Sequence, residues 1–184
     1  MAYIGEKKKT PKNYSHEYAD IRLYRNKKLT DSLNCRVQTI LGDKILLLDQ
    51  FLEIGFPKVL LISFMSEWCP NCHDEALAID NIYNKFSDQD FEVIVVGEYS
   101  DPIKLGYLFD KKLRIQLPYV FGEVLGKNEE KKLLTTHHQI KTLMRDQRKW
   151  GVPLHIIIVE GKLDEIHCVT GEFENLALEY FLIN

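Results

Sequence analysis

Two cysteines three positions apart, in Trp68-Cys69-Pro70-Asn71-Cys72-His73-Asp74-Glu75, are the residues of this 184-residue chain best equipped for chemistry. They fall where a continuous apolar run over 59–64 hands over to a helical stretch beginning at Pro70. The first sulfur then sits at or beside a helix N-terminus, where unpaired backbone N–H groups and the helix dipole stabilise an anion and lower a thiol pKa. Cys69 is therefore the better thiolate and the attacking sulfur. Proline at the first helical position costs no hydrogen bond. Cys72 lies one turn on, on the same side of the helix, within reach of Cys69 for a reversible disulfide. Zinc is the competing chemistry for any CxxC, but zinc wants four ligands, commonly a second CxxC or paired histidines. No second CxxC exists, His137 and His138 are adjacent rather than spaced as ligands, and His73 follows Cys72 directly. A strand–helix–strand setting favours the redox reading.

Glu75 is the third residue of interest. Cys72, Glu75, Ala76, Ile79, Ile82, Tyr83 and Phe86 recur at helical spacing on one face, so an acid interrupts an apolar stripe. Desolvated there, a carboxyl group would have a raised pKa, shuttle a proton to the thiols near neutral pH and oppose a second thiolate. An edge glutamate that reaches solvent is the other reading, and the spacing leaves both open.

The elements that must position these residues are legible in outline. Apolar segments at 37–40 and 45–48 flank Leu41-Gly42-Asp43-Lys44, which suits the turn of a hairpin. The run at 59–64 has the pattern of a strand buried on both faces of a mostly parallel sheet. With a helix at 70–86 and a second run at 91–97, it makes a parallel βαβ unit. Further helices are expected at 105–113 and 131–149, the latter stopped by Gly151 and Pro153. A closing hairpin follows, with strands at 154–159 and 163–169 around Glu160-Gly161-Lys162, and then a final helix at 172–182.

The motif Trp68-Cys69-Pro70-Asn71-Cys72-His73-Asp74-Glu75 resembles the WCxxCxxE signature of the TlpA/ResA-type thiol-disulfide oxidoreductases, a branch of the thioredoxin superfamily. The likeness runs from about Asn34 to the C-terminus. It takes in the leading hairpin, the strand ending at Phe64, Leu117-Pro118, and Trp150-Gly151-Val152-Pro153 before the closing hairpin. It implies an α/β thioredoxin-like fold with a central mixed sheet flanked by helices, preceded by the N-terminal hairpin and an extra arm. The catalytic set it implies is a nucleophile at Cys69, a resolving thiol at Cys72 and a proton-handling acid at Glu75, with a cis-proline at Pro153. Such a proline faces the CxxC, lacks an N–H to compete for the sulfurs, and leaves the Val152 backbone to pair with an extended substrate. Trp68, Pro70, Val152 and Pro153 then form the substrate-docking set, although core packing is an equal reading of Trp68. Protein thiols and disulfides are the implied partners, with an upstream membrane electron donor, a reducing direction and no cofactor or metal. A binding or metal-handling module, with the CxxC holding a soft metal, is the rival reading; a thiol peroxidase would need a PxxxTxxC pattern that the chain lacks.

Composition sets the outer bounds. With 45% hydrophobic and 28% charged residues the chain is globular and long enough for a single core. A net charge of −3 gives no basic field for duplex nucleic acid. Residues 1–30 carry eight Lys/Arg against three Asp/Glu, a balance of +5 that leaves −8 over the remainder. The expected organisation is a basic arm over 1–33, mobile at first and then packed, and a thioredoxin-like domain over 34–184, monomeric. Four cysteines are too few for a disulfide-built scaffold; Cys35 and Cys168 match no motif and read as buried thiols, a structural disulfide between them being the alternative. His137 and His138 read as solvent-facing. No apolar run approaches the ~20 residues of a membrane helix, and MAYIGEKKKT lacks the apolar segment of a secretion signal. The resemblance places the protein in the periplasm or cell envelope if a signal was trimmed, and otherwise in the cytoplasm.

Overall fold

A computed structural model describes residues 19–183, so the first part of the basic arm, 1–18, lies outside the described residues. In chain order the elements are β1 (Arg22–Tyr24), α1 (Lys27–Leu33), β2 (Arg36–Gln38), β3 (Lys44–Leu46), α2 (Asp49–Ile54), β4 (Val59–Met65), α3 (Pro70–Lys85) and β5 (Phe91–Gly97). They continue with α4 (Pro102–Tyr107), a π-turn (Leu108–Leu113), β6 (Tyr119–Phe121), a 3-10 turn (Lys131–Leu134), α5 (Thr136–Leu143), β7 (Leu154–Val159), β8 (Ile166–Val169) and α6 (Asn175–Ile183). Among the described residues eight strands join one mixed sheet in the order β1-β8-β7-β4-β5-β6-β2-β3.

The centre of that sheet explains the unbroken apolar run. β4 pairs in parallel with β5 and antiparallel with β7, and every residue of β4 is buried. Val59 and Leu61 face a core shared with α3 and α6, whereas Leu60, Ile62 and Phe64 face a second core with α1, α2 and α5. A strand covered on both faces has no solvent side, so it carries no alternation. The α/β thioredoxin-like architecture expected from the sequence, a central mixed sheet flanked by helices, is the architecture found.

Several expected bounds shift. The helix placed at 131–149 is a 3-10 turn followed by α5, which starts where Thr135 accepts the His138 N–H and ends before Arg145 turns left-handed at φ 59°. The segment 105–113 is α4, capped by the Asp101 carboxylate, running into the π-turn. The final helix starts at Asn175 rather than 172, because Glu172 and Phe173 are drawn into the core. Of the arm, β1 pairs with β8 as an edge strand, and α1, α2 and β6 are elements the periodicity did not reveal. None of the described helices is long and apolar enough to cross a membrane.

Candidate active site

Cys69 is the N-cap of α3, extended at φ −92° and ψ 111°, with Pro70 opening the helix. Strand β4 ends four residues earlier, so the buried sheet centre delivers the cysteine to the helix start. All four cysteines are free thiols. Cys69 keeps 8% exposure and Cys72 only 2%. Their contacts and burial separate their acidities. The Cys69 thiol is held below its ordinary range by the hydrogen bond from the Cys72 side chain, helped by the backbone N–H groups of Cys72 and Asn71 and the positive charge of Arg148, against the cost of burial. Burial and the Cys69 sulfur push Cys72 the other way, well above the ordinary value.

The sulfur of Cys69 opens on a cleft of about 400 Å³ whose walls include Trp68, Pro70, Lys127, Arg148, Val152 and Pro153. All four docking residues expected from the sequence therefore meet at one place. The Val152-Pro153 bond is cis. The Val152 carbonyl lies 3.8 Å from Cys69 Sγ. Trp68 serves both readings given to it: its Nε1–H donates to the Tyr99 carbonyl at 3.0 Å and its ring packs edge-on against Trp150, yet it also lines the cleft beneath the Lys127 ammonium, 4.0 Å from the ring centre.

Glu75 is buried at 4% exposure, which excludes the edge-glutamate reading. Desolvation raises its carboxyl pKa to about 8, with the charges of Glu172 and Asp74 adding and the Phe173 N–H, 3.4 Å from Oε1, opposing. The carboxyl group is thus largely protonated at neutral pH. A residue that the sequence reading missed lies against it: His155 on β7, fully buried, has Nε2 3.3 Å from Glu75 Oε1 and Nδ1 2.8 Å from the Ser63 hydroxyl. Burial pulls the imidazole down to about 3, so the contact joins two neutral groups rather than an ion pair. The one signal in the sequence was a histidine inside the apolar run Leu154-His155-Ile156-Ile157-Ile158.

Arg148 was also missed. Its guanidinium holds both Asp146 carboxylate oxygens and donates to the carbonyls of Gly151 at 3.1 Å, Val152 at 3.3 Å and Pro153 at 3.0 Å, clamping the loop that faces the sulfurs. His137 corrects an expectation. It is fully buried, not solvent-facing, because its Nδ1 meets the Tyr99 hydroxyl at 3.0 Å and its Nε2 donates to the Gly151 carbonyl at 3.2 Å. His138 is half-buried. Cys35 and Cys168 are separate buried thiols, each pushed up to about 12 by desolvation, and neither reaches the cleft. Among the described residues no three His, Cys, Asp or Glu side chains gather as a ligand group.

Comparison with known proteins agrees with this geometry. Residues 56–122, which span β4, α3, β5 and β6, match the Redoxin family model. No curated protein matches the chain. Among solved structures, the thioredoxin domain of a thiol-disulfide oxidoreductase from Bacteroides vulgatus is similar at TM-score 0.54 and 19% identity, over 80% of this chain and 91% of that one. A secreted Mycobacterium tuberculosis disulfide oxidoreductase homologous to E. coli DsbE aligns at TM-score 0.52 and 12% identity, over 83% and 97%. A secreted thiol-disulfide isomerase from Corynebacterium glutamicum aligns at 0.57 and 10%, over 81% of each chain. At such identities these structures speak for the fold. The chain thus has a thioredoxin-like fold, and the strand–helix–strand that carries both sulfurs lies within its match to the Redoxin family model, consistent with the resemblance to the TlpA/ResA type.

Proposed function

We propose that the protein reduces disulfides in protein substrates, with Cys69 as nucleophile, Cys72 as resolving thiol and Glu75 as the acid that moves protons for them. The observation that carries the reading is the opposed acidity of the two thiols at the head of α3. A sulfur that ionises readily and is partly open can attack; one that is buried and holds its proton cannot compete for the substrate. The Cys69 thiolate attacks a substrate sulfur, the substrate S–S bond breaks, and the departing thiolate takes the proton that Glu75 holds at neutral pH, which leaves Glu75 a carboxylate. Cys72 then gives its proton to the Glu75 carboxylate and attacks Cys69, which forms the Cys69–Cys72 disulfide and releases the second substrate thiolate. Two electrons pass to the substrate, and an upstream donor must return them. Trp68, Pro70, Val152 and Pro153 are the docking surface of this reading, the Val152 backbone offering itself to an extended segment. The reducing direction follows the TlpA/ResA resemblance, as does a place in the periplasm or cell envelope if a signal was trimmed and in the cytoplasm otherwise; a monomeric state belongs to the same reading.

Two single substitutions test the assignment. Cys69→Ser should abolish disulfide exchange with a protein substrate, whereas Cys72→Ser should accumulate a mixed disulfide visible by mass spectrometry. Wild-type turnover in Cys69→Ser would end the proposal. The direction is tested separately by equilibrating the dithiol with a glutathione redox buffer: a reductant stays oxidised in buffers where a strong oxidant is already reduced.

A further inference from the structure

We propose that His155 is a positioning residue for Glu75: pinned by Ser63 with its proton on Nε2, it donates to Glu75 Oε1 and leaves Oε2 as the oxygen that exchanges a proton with Cys72. This rests on Glu75 acting as the proton handler.

The argument begins with register. Ser63 and His155 are directly paired across β4 and β7, so a hydroxyl and an imidazole face each other inside an otherwise apolar sheet centre. A serine hydroxyl donates as well as accepts, and the 2.8 Å contact with Nδ1 satisfies both side chains at once. With Nδ1 accepting from Ser63, the ring's remaining proton sits on Nε2, a buried nitrogen that has no aligned hydrogen-bond partner as the side chains stand and lies 3.3 Å from Glu75 Oε1, within reach after a small turn of either group. The Gly171 carbonyl, an acceptor only, is the ring's other polar neighbour and is consistent with an N–H there. Phe173 packs edge-on against the ring at 4.7 Å while sending its own N–H to the same Oε1. The Phe173 N–H already holds Oε1, and an Nε2–H aligned on the same oxygen would fix the plane of the carboxyl group and leave the other oxygen to titrate.

The charged and titratable groups around Glu75 show why a donor matters. Asp74 on α3 and Glu172 ahead of α6 both oppose a negative charge there, and burial opposes it more. Arg148 faces the sulfurs and the imidazole rather than appearing among the influences on Glu75. Neutral N–H donors are the remaining means of making the carboxylate accessible, the Phe173 N–H already serving and the imidazole N–H adding to it, since hydrogen bonds to a charged acceptor favour the charged form. In the resolving step the Cys72 S–H bond breaks, its proton passes to Oε2, and the sulfur keeps the electron pair with which it attacks Cys69. His155 gives up nothing in that step and holds Oε1 throughout.

Two experiments test this on the full chain. In wild type, ¹⁵N NMR of the imidazole should show protonated Nε2 and unprotonated Nδ1 between pH 5 and 9, with the Nε2–H resonance moving as Glu75 titrates and fixed in Glu75→Gln. A proton on Nδ1, or an Nε2–H blind to that titration, overturns the proposal, and neither result requires a variant of His155 to fold. Second, the rate at which Cys72 resolves a preformed mixed disulfide is followed against pH. His155→Leu should move the half-maximal rate up by about one pH unit or more, His155→Gln should restore most of the shift, and Ser63→Ala should give a smaller shift in the same direction. If Glu75→Gln alters the profile while a folded His155→Leu leaves it in place, His155 is merely structural. If Glu75→Gln leaves the profile unchanged, the proton-handling role of Glu75 falls and this proposal with it.

Discussion

The acidity of Cys69 comes from a few named contacts, and their order makes separate predictions. The hydrogen bond from the Cys72 side chain is the largest, ahead of the backbone N–H groups and Arg148. Cys72→Ala removes that donor while Cys72→Ser keeps a hydroxyl in its place, so Cys69 should be alkylated more slowly by iodoacetamide at pH 7 in the alanine variant than in the serine variant. Equal rates would shift the credit to the helix terminus. Arg148→Met keeps an apolar stem but removes a charge and three carbonyl bonds, so the Cys69 titration, followed by thiolate absorbance near 240 nm, should move to higher pH. A titration unchanged from wild type would confine Arg148 to holding its loop.

Elements carry the site because they bring together residues distant in sequence, and here the sequence is legible only in part. β4, α3 and β5 could be read because each is long and uniformly patterned: a seven-residue buried run, a helix opening on Cys-Pro, and a second run. β1 and β6 are three residues each, mostly unburied, and a three-residue strand has no period to detect. α1 begins with two lysines and reads as the end of the basic arm rather than a helix, although Leu29 and Leu33 are fully buried against α5. Glu75 was found because it breaks a helical stripe. Its neighbour His155 was not, because its partner Ser63 is 92 positions away and only the β4–β7 register sets them side by side. The Tyr99 corner is another such meeting. At φ 57° it stands left-handed after β5, its carbonyl holds Trp68, and its hydroxyl sits 3.0 Å from both Thr135 and His137, which in turn reaches Gly151. Tyr99→Phe removes the hydroxyl and leaves a buried histidine nitrogen without its partner. It should cost about 1–3 kcal/mol in urea unfolding at unchanged m-value, and a loss too small to resolve would mean that Thr135 alone serves His137.

At the scale of the whole molecule, the buried titratable groups set a pH range for the fold as well as for the chemistry. His137 and His155 are pulled from 6.5 to about 3, so the unfolded chain binds protons that the folded one refuses; their contribution to stability is full above pH 6.5 and is lost as pH falls toward 3. Glu75 and Glu98 are pushed from 4.5 to about 8, so their contribution is full below pH 4.5 and is lost as pH rises through 8. Between pH 4.5 and 6.5 the two pairs oppose each other and their sum is nearly flat. Above pH 6.5 the carboxyl groups lower stability as pH rises, at a combined slope of at most about 2.7 kcal/mol per pH unit from two protons that shrinks as pH nears 8, and the lowered Cys69 thiol works against them. Glu98 offers the means to check this away from the thiols. It is buried beside Gly122, where a Cβ would meet its carboxyl group, and its Oε1 accepts the Val124 N–H at 3.3 Å. Glu98→Gln keeps an amide oxygen for that bond but has no proton to lose. Urea unfolding at pH 5.5, 7 and 8 should therefore give a variant that loses clearly less stability over the alkaline interval than wild type, whatever its absolute stability at pH 5.5. Parallel pH curves for the two proteins would show that Glu98 ionises as freely in the folded chain as in the unfolded one, and that its burial carries no penalty.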